Sequence, residues 1–392
     1  MQDVFIIGSK GIPANYGGYE TFVEKLTEYQ TNFEIQYHVA CAVDNLKDID
    51  REFYHNGAHC FNIRWRNIGS AKAIVYDLDA LEWAIKYVED NEIKNPIFYV
   101  LACRIGPFIG LVKRKIKKID GTLLVNPDGH EWMRKKWSKP VRRYWKLSEK
   151  LMVKNADMVV CDSTNIEKYI RREYKQYSPC TKYISYGAET KKTKLEDDDE
   201  MWTDWLKKNN ILSNEYYLVV GRFVPENNYE IMINEFIKSN TKKAFVLVTQ
   251  VTPKFQETLK KRTSFDLDSR IKFVGAIYNQ ELLKKIRENA YGYFHGHEVG
   301  GTNPSLLEAM VFTNLNLLVD VGFNREVGQN GVLYWKKEEN CLAELINYVD
   351  GLNKRQIKNF GDKAKDIIAE RYTWPIIVRE YEKEFLRRKN DE

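Results

Sequence analysis

The feature that most constrains this chain is a rhythm. Short apolar runs alternate with windows of helical length, and the alternation occurs twice. In the first half the runs lie at residues 4–8, 35–43, 58–65, 96–101, 122–125, 158–161 and 183–186. Between them, Phe22, Val23 and Leu26 mark a helix that begins at Gly17, and Ile74, Val75, Leu78, Leu81 and Ile85 mark another over 71–90. Asp162 and Ser163 supply an N-cap for a helix over 166–172. A second series of runs follows at 217–220, 244–248, 271–274, 292–294 and 316–319. Strand alternating with helix predicts an α/β chain with two doubly wound parallel sheets. Residues 190–200 hold lysines, threonines and an acidic block with no apolar face, so they are expected to be a linker between a domain over 1–189 and one over 201–374.

Composition bounds the class. A chain of 392 residues, 43% hydrophobic and 30% charged, holds enough apolar material for two cores, which excludes a disordered or low-complexity protein. No run of about 18 apolar residues exists to cross a membrane as a helix. Met1-Gln2-Asp3 leads straight into an apolar run without a basic n-region, so a cytoplasmic location is expected. Cys41, Cys60, Cys103, Cys161, Cys180 and Cys341 form no CxxC pair and read as reduced thiols. The net charge of +6 is unevenly spread: residues 110–150 hold 13 Lys/Arg against 4 Asp/Glu, leaving the rest of the chain slightly acidic. Trp132, Trp137, Tyr144 and Trp145 interleave with these cations. Basic plus aromatic fits an anionic membrane surface or nucleic acid, against the plainer reading of a solvated helix face.

Ligands of doubly wound sheets bind beyond the carboxyl ends of the strands, so the loops after strands carry the candidate chemistry. The first such loop, residues 8–20, is glycine-rich, and Gly17 and Gly18 at a helix start offer amides to an anion. Its spacing is not GxGxxG, which argues against a dinucleotide fingerprint. The second loop places Arg222 directly after a strand, where a guanidinium can pair with a diphosphate. In the third, Gly300, Gly301, Thr302 and Asn303 precede Pro304 at a helix start, and Glu308 lies one turn further in, placed to accept ribose hydroxyls. The His295/His297 pair lacks a third ligand at a metal spacing.

These three loops together resemble the GT-B glycosyltransferases, specifically the retaining enzymes of family 4, over nearly the whole chain. Gly221-Arg222 is similar to the start of that family's phosphate motif, and Glu308-Ala309-Met310 to the second half of its Glu-x7-Glu motif. The resemblance implies two Rossmann-like domains facing a cleft. It also implies a C-terminal helix, 375–392, that follows Tyr372-Thr373-Trp374 and crosses back to the first domain. The finer similarity is to bacterial rhamnosyltransferases of capsule and cell-wall polysaccharide assembly, carried by residues 8–21, Asn126-Pro127-Asp128-Gly129 with Glu131-Trp132 and Lys136-Trp137, residues 221–228 and residues 300–310. Two positions depart from the broad family: Asn227 stands where it has a phosphate-binding lysine, and Gly300 where it has the first glutamate, with Glu298 two residues early.

What the resemblance implies is transfer of L-rhamnose, with retention, from dTDP-L-rhamnose to a sugar on a polyprenyl diphosphate. Arg222, Asn227, Gly17, Gly18, Gly300, Gly301, Thr302, Asn303 and Glu308 would hold the donor, with Ile277 and Tyr278 near the base. Tyr16, Tyr19, Arg104 and Asp128 would hold the acceptor. Arg222, Glu308, Asp128, Glu131 and His130 are the catalytic candidates. Amides, the arginine and a helix dipole stabilise the leaving diphosphate in this scheme, so no metal and no cofactor are expected. Segment 110–150 would rest on anionic lipid at the inner face of the cell membrane, and nucleic acid is not an expected partner. The alternatives are a UDP-hexose-dependent enzyme of the same fold, or a sugar-nucleotide-binding protein without catalysis.

Overall fold

The computed structural model describes residues 1–14, 17–47, 49–134 and 136–387. The chain divides into two units: Met1–Gly187 with the segment from Trp374 onward, and Ala188–Thr373.

The first unit opens with β1 (Gln2–Ile7), whose residues Val4 to Ile7 are wholly buried, and α1 (Gly18–Glu28). Then come β2 (Ile35–Val43), β3 (Glu52–His55), β4 (Ala58–Arg64) and α2 (Lys72–Asp90). The crossover pattern continues through β5 (Ile97–Leu101), α3 (Gly106–Lys118), β6 (Thr122–Asn126) and α4 (Lys139–Asn155). It ends with β7 (Met158–Cys161), α5 (Thr164–Glu173) and β8 (Thr181–Tyr183). The sheet order is β3-β4-β2-β1-β5-β6-β7-β8, parallel except for β3, which pairs antiparallel with β4. The order reverses between β1 and β5, so the loops that leave these two strands flank a switch point.

The second unit runs α6 (Glu200–Asn209), β9 (Tyr216–Val220), α7 (Tyr229–Lys238), β10 (Ala244–Val248), α8 (Pro253–Thr263) and β11 (Ile271–Phe273). It continues with α9 (Gln280–Glu288), β12 (Gly292–His295), α10 (Pro304–Phe312) and β13 (Asn316–Val319). The last elements are α11 (Gly322–Gly328), β14 (Leu333–Trp335), α12 (Cys341–Asp350) and α13 (Lys354–Arg371). Its six strands are all parallel in the order β11-β10-β9-β12-β13-β14, with the switch point between β9 and β12. Tyr217, Phe236, Phe245 and Phe294 fill the layer between this sheet and the helices on one face.

The final helix, α14 (Trp374–Arg387), packs in the first unit. Its Tyr381 and Phe385 are buried against Phe22, Tyr99 and Tyr37, and Tyr381 Oη meets Tyr99 Oη at 3.1 Å. Glu382 accepts from the amides of Thr31 (2.7 Å) and Asn32 (3.0 Å), which fixes the helix to the turn before β2.

Three details differ from the sequence reading. Strand β3 was not anticipated, because its burial is partial and its four residues are polar or aromatic. The last strand of the first unit is 181–183 rather than 183–186; Ser185 and Tyr186 are buried but lie beyond it. Residues 190–200, expected as a linker, belong to the second unit as a strap held by polar contacts. Thr193 N donates to Glu288 (2.9 Å), Lys194 N to Glu281 (2.6 Å), and Asp199 caps α6 by accepting from Met201 N (2.9 Å). A strap without an apolar face leaves no hydrophobic periodicity to read.

Candidate active site

In the second unit, the two loops that leave the switch-point strands are laced together. After β9 the chain makes a short 3₁₀ turn (Pro225–Asn227), and after β12 it runs through residues 296–303 before Asn303 caps α10. Asn227 Nδ2 donates to the Arg222 carbonyl (2.7 Å), and its Oδ1 lies 2.9 Å from His297 Nδ1. Asn228 Nδ2 donates to the Gly296 carbonyl (2.8 Å), and Glu298 N to the Glu226 carbonyl (3.2 Å). Gly296 is required here, since a Cβ would run into the Asn227 carbonyl. Asn227 therefore acts as a brace between the loops. An amide that both donates and accepts makes that bridge, which a lysine cannot.

Arg222 is exposed, and no described residue accepts from its guanidinium or pairs with it. The amides of Gly300 and Gly301 likewise donate to no described residue, although both glycines are buried. Gly300 has φ +130°, a conformation that turns the backbone as a side-chain-bearing residue rarely does. Asn303 Oδ1 accepts from Ser305 N (2.9 Å), and Pro304 occupies the first turn of α10. An exposed cation in one loop and unengaged amides at a helix start in the other are groups of the kind that bind anions in general.

Glu308 is oriented by a residue that the sequence did not single out. Arg287, on α9 and only 2% exposed, donates through Nη2 to Glu308 Oε2 (2.7 Å) and to Ser305 Oγ (3.2 Å). Ser305 Oγ in turn meets Tyr293 Oη and the Val220 carbonyl, each at 3.1 Å. The signal for Arg287 was its place on the inward stripe of an amphipathic helix, where a buried arginine demands a carboxylate. Glu298, two residues before Gly300, pairs with Lys337 at 2.5 Å. His295 is buried with Nε2 unpartnered among the described residues, and burial pushes its pKa down to about 3. Near β11, Gly275 accepts from Thr249 N (3.1 Å); Ile277 is half-buried and Tyr278 exposed.

The carboxyl edge of the first sheet is organised differently. Arg104, expected at the acceptor, is turned inward: its Nη1 bridges both oxygens of buried Asp77 (3.1 and 3.0 Å) and its Nη2 donates to the Gly8 carbonyl (2.5 Å). Neutralising a fully buried carboxylate is what fixes it there. Glu131, a catalytic candidate, is also engaged. It pairs with Arg134 and Lys136, accepts from Trp137 Nε1 (2.8 Å), and is 8% exposed. The Gly17-Gly18 loop, expected to hold phosphate, carries a carboxylate instead. Glu20 accepts from Lys10 N (2.8 Å), and its other oxygen lies where a Cβ on Gly17 would be, so an anion at Gly17 would meet like charge. Tyr16 lies outside the described residues.

Asp128 and His130 remain in the open part of this edge. Asp128, Gly129 and His130 all have positive φ (59°, 72° and 51°), three left-handed residues in succession. Two of them carry side chains, each costing about 1–2 kcal/mol in this conformation. The surroundings hold them. Asp128 N donates to Asn126 Oδ1 (2.9 Å), Met133 N to the His130 carbonyl (2.8 Å), and the His130 ring sits 4.2 Å from Tyr169. Strain sustained by its neighbours is a mark of functional loops. Burial, then the charges of Lys146 and Arg172, lower the His130 pKa and favour a neutral imidazole. Tyr19 Oη reaches Asn126 Oδ1 (3.4 Å); burial, then the Asp128 charge, push its phenol up.

Comparison with solved structures fixes the architecture. Sucrose-phosphate synthase from Thermosynechococcus elongatus matches with a TM-score of 0.82 at 16% identity, covering 100% of both chains. HepE from Anabaena, in complex with UDP, matches at 0.71 and 15% identity over 98% of this chain and 99% of that one. The E. coli trehalose-6-phosphate structure bound with UDP-2-fluoro glucose matches at 0.72 and 8% identity, again over 98% and 99%. The fold is GT-B. Likeness at these identities carries the fold alone.

A family described as "Domain of unknown function (DUF1972)" matches residues 1–189 of the GT-B chain. A relative described as "Uncharacterized glycosyltransferase MJ1069", from Methanocaldococcus jannaschii, is 26% identical over 251 residues, 62% of each chain. The alignment thus spans less than two thirds of that relative.

Among the described residues of this GT-B chain, no helix is long and apolar enough to cross a membrane. The tryptophans of segment 110–150 do not form an outward aromatic set. Trp137 donates to Glu131 and lies 6.3 Å from Trp145, while Trp132 faces Lys146 (4.5 Å). Lys146 itself is enclosed by Trp132, Tyr169 and Tyr174 and pairs with Glu173 at 2.9 Å. Tyr169, against the His130 ring at 4.2 Å, backs the 128–134 loop.

Proposed function

We propose that this chain is a retaining glycosyltransferase that takes a sugar from a nucleotide-sugar donor, and that the donor is dTDP-L-rhamnose. The acceptor in this reading is a sugar already carried on a polyprenyl diphosphate, in bacterial surface polysaccharide synthesis. The enzyme then works as a peripheral protein at the inner face of the cell membrane. The observation that carries the reading is Arg222: an exposed, unpaired guanidinium beside unengaged glycine amides at a switch point suits a diphosphate.

In this mechanism Arg222 and the Gly300 and Gly301 amides, with Thr302, Asn303 and the α10 dipole behind them, neutralise the diphosphate as the glycosidic bond lengthens. Glu308, held by Arg287, accepts from a sugar hydroxyl of the nucleoside. Ile277 and Tyr278 flank the base. The acceptor hydroxyl attacks the anomeric carbon from the side the leaving group departs, and its proton passes to a phosphate oxygen of that group. Asp128 and neutral His130 orient the acceptor, with Tyr19 beside them. The chemistry is carried by amides and a guanidinium, and the scheme requires neither metal nor cofactor. Gly300 in place of a glutamate suits a 6-deoxy sugar, which presents fewer hydroxyls to a carboxylate.

A UDP-hexose donor is the second reading, favoured by the UDP and UDP-glucose bound to the Anabaena HepE neighbours. The deciding experiment offers dTDP-rhamnose and UDP-glucose in turn with a lipid-diphosphate monosaccharide and reads the product by mass spectrometry. A deoxyhexose increment from dTDP-rhamnose alone is expected. A hexose increment from UDP-glucose overturns the donor, and donor binding without product overturns catalysis.

A further inference from the structure

We infer that the outer faces of α3 and α4 form a single surface that docks on an anionic lipid bilayer through aliphatic and phenyl side chains set among unpaired cations. The two helices pack side by side in the same direction. Gly106, at the start of α3, lies against Ser148 of α4, where a Cβ would clash, and Lys113 further along α3 pairs with Asp157 just beyond α4. On α3 the exposed positions Phe108, Leu111 and Lys118 repeat at helical spacing with Arg114 beside them; on α4 Arg143, Leu147, Lys150 and Lys154 do the same. Phe108, Leu111 and Leu147 are 43%, 62% and 51% exposed, and Met133 on the adjoining 128–134 loop is 43% exposed.

No carboxylate of these two helices offsets the face. Glu149, the one acidic residue in α4, is buried and accepts from Tyr169 (2.5 Å) and Tyr174, and α3 contains none. Among the described residues, Arg114, Lys118, Arg143 and Lys150 have no ion-pair partner. Apolar groups amid cations suit a lipid interface, where the former enter the acyl boundary and the latter meet anionic headgroups. A nucleic acid would need several exposed rings for its bases, whereas Trp132, Trp137 and Trp145 are half-buried and, Phe108 apart, the exposed apolar side chains named on this face carry no ring. Phe108 and Leu111 lie in the first turns of α3, the end nearest the sheet's carboxyl edge, so docking brings the Asp128 loop to the bilayer surface. The purpose of the docking rests on the proposed lipid-linked acceptor; the surface itself does not.

The test is co-sedimentation of the full chain with vesicles of phosphatidylcholine containing about 25% phosphatidylglycerol, and with phosphatidylcholine alone. Two variants are compared: Phe108→Ser/Leu111→Ser/Leu147→Ser, and Arg114→Ala/Lys118→Ala/Arg143→Ala/Lys150→Ala. Lys354→Ala/Lys358→Ala/Lys363→Ala on α13 serves as a charge control. Binding only to the anionic vesicles is expected, reduced roughly tenfold or more in both surface variants and unchanged in the control. Unaltered binding by the surface variants, or equal loss in the control, overturns the inference, as does an oligonucleotide that displaces the vesicles through the same residues. Transfer assays separate this from the catalytic proposal. Both surface variants should keep full activity on a short-chain, water-soluble acceptor and lose it on a vesicle-embedded one. Absence of transfer by the unaltered protein on either acceptor, while it binds the anionic vesicles and the surface variants do not, defeats the enzyme reading and leaves the surface standing.

Discussion

At the carboxyl edge of the second sheet Arg222 stands exposed without a carboxylate beside it, whereas at the edge of the first sheet Arg104 is largely buried and bridged to Asp77. Both arginines follow strands that border a switch point. The same residue type at equivalent places thus does opposite work. One is engaged by no described residue, and the other neutralises the protein's own buried anion and holds the Gly8 loop. Glu308 and Glu131 make a similar contrast. Arg287 takes one oxygen of Glu308, which remains 28% exposed, while Glu131 is surrounded by Arg134, Lys136 and Trp137 at 9%. The second edge leaves charged groups open to solvent, and the first engages its own with internal partners.

The sharpest test of that contrast is Arg222→Ala. Transfer should fall about 10²–10³-fold through loss of leaving-group stabilisation, while the melting temperature stays within roughly 1 °C. Donor binding and turnover that match the unaltered protein would remove Arg222 from the site. Arg104→Ala should behave in the reverse sense. It leaves Asp77 buried without its cation, so unfolding measured by urea should lose about 3–5 kcal/mol. Preserved stability with a selectively raised acceptor KM would restore Arg104 to the acceptor site and break the comparison.

A smaller effect is expected from acid. The buried His295 has its pKa lowered to about 3, below the ordinary value near 6.5, so the unfolded chain binds the proton first. Its contribution is fully present above pH 6.5 and is lost as pH falls toward 3, amounting to about 2 kcal/mol by pH 5. Stability of the second unit measured between pH 7.5 and pH 5 should show this slope, and His295→Phe should flatten it. A slope that persists in that variant assigns the acid sensitivity elsewhere. The smallest change should come from Asp128→Gly. Relief of the left-handed conformation is expected to raise stability by about 1 kcal/mol even as transfer declines. A variant that is both more stable and fully active would show that Asp128 is there for the turn alone.

Much of the layout was legible beforehand, because strand and helix periodicities are local. The apolar runs at 4–8, 96–101 and 217–220 correspond to β1, β5 and β9 within a residue or two. The loops after strands follow as the places to look: Arg222 lies after β9 and the Gly300 turn after β12, with Glu308 in the helix that comes next. What stayed hidden depends on partners distant in sequence. The inward turn of Arg104 needs Asp77, 27 residues away, and Glu308 needs Arg287, 21 residues away on another helix. Asn227 looked like the loss of a cation until His297, brought next to it by the pairing of β9 with β12, made it a brace.

The sequence alone thus determined the class of fold, the alternation of most of its elements and the loops after strands as the places for chemistry, since these follow from hydrophobic period and the handedness of parallel crossovers. Only the tertiary structure decided which charged groups are engaged internally and which remain for a ligand. A buried charge must find its counter-ion in space, and the chain's order does not say where that is.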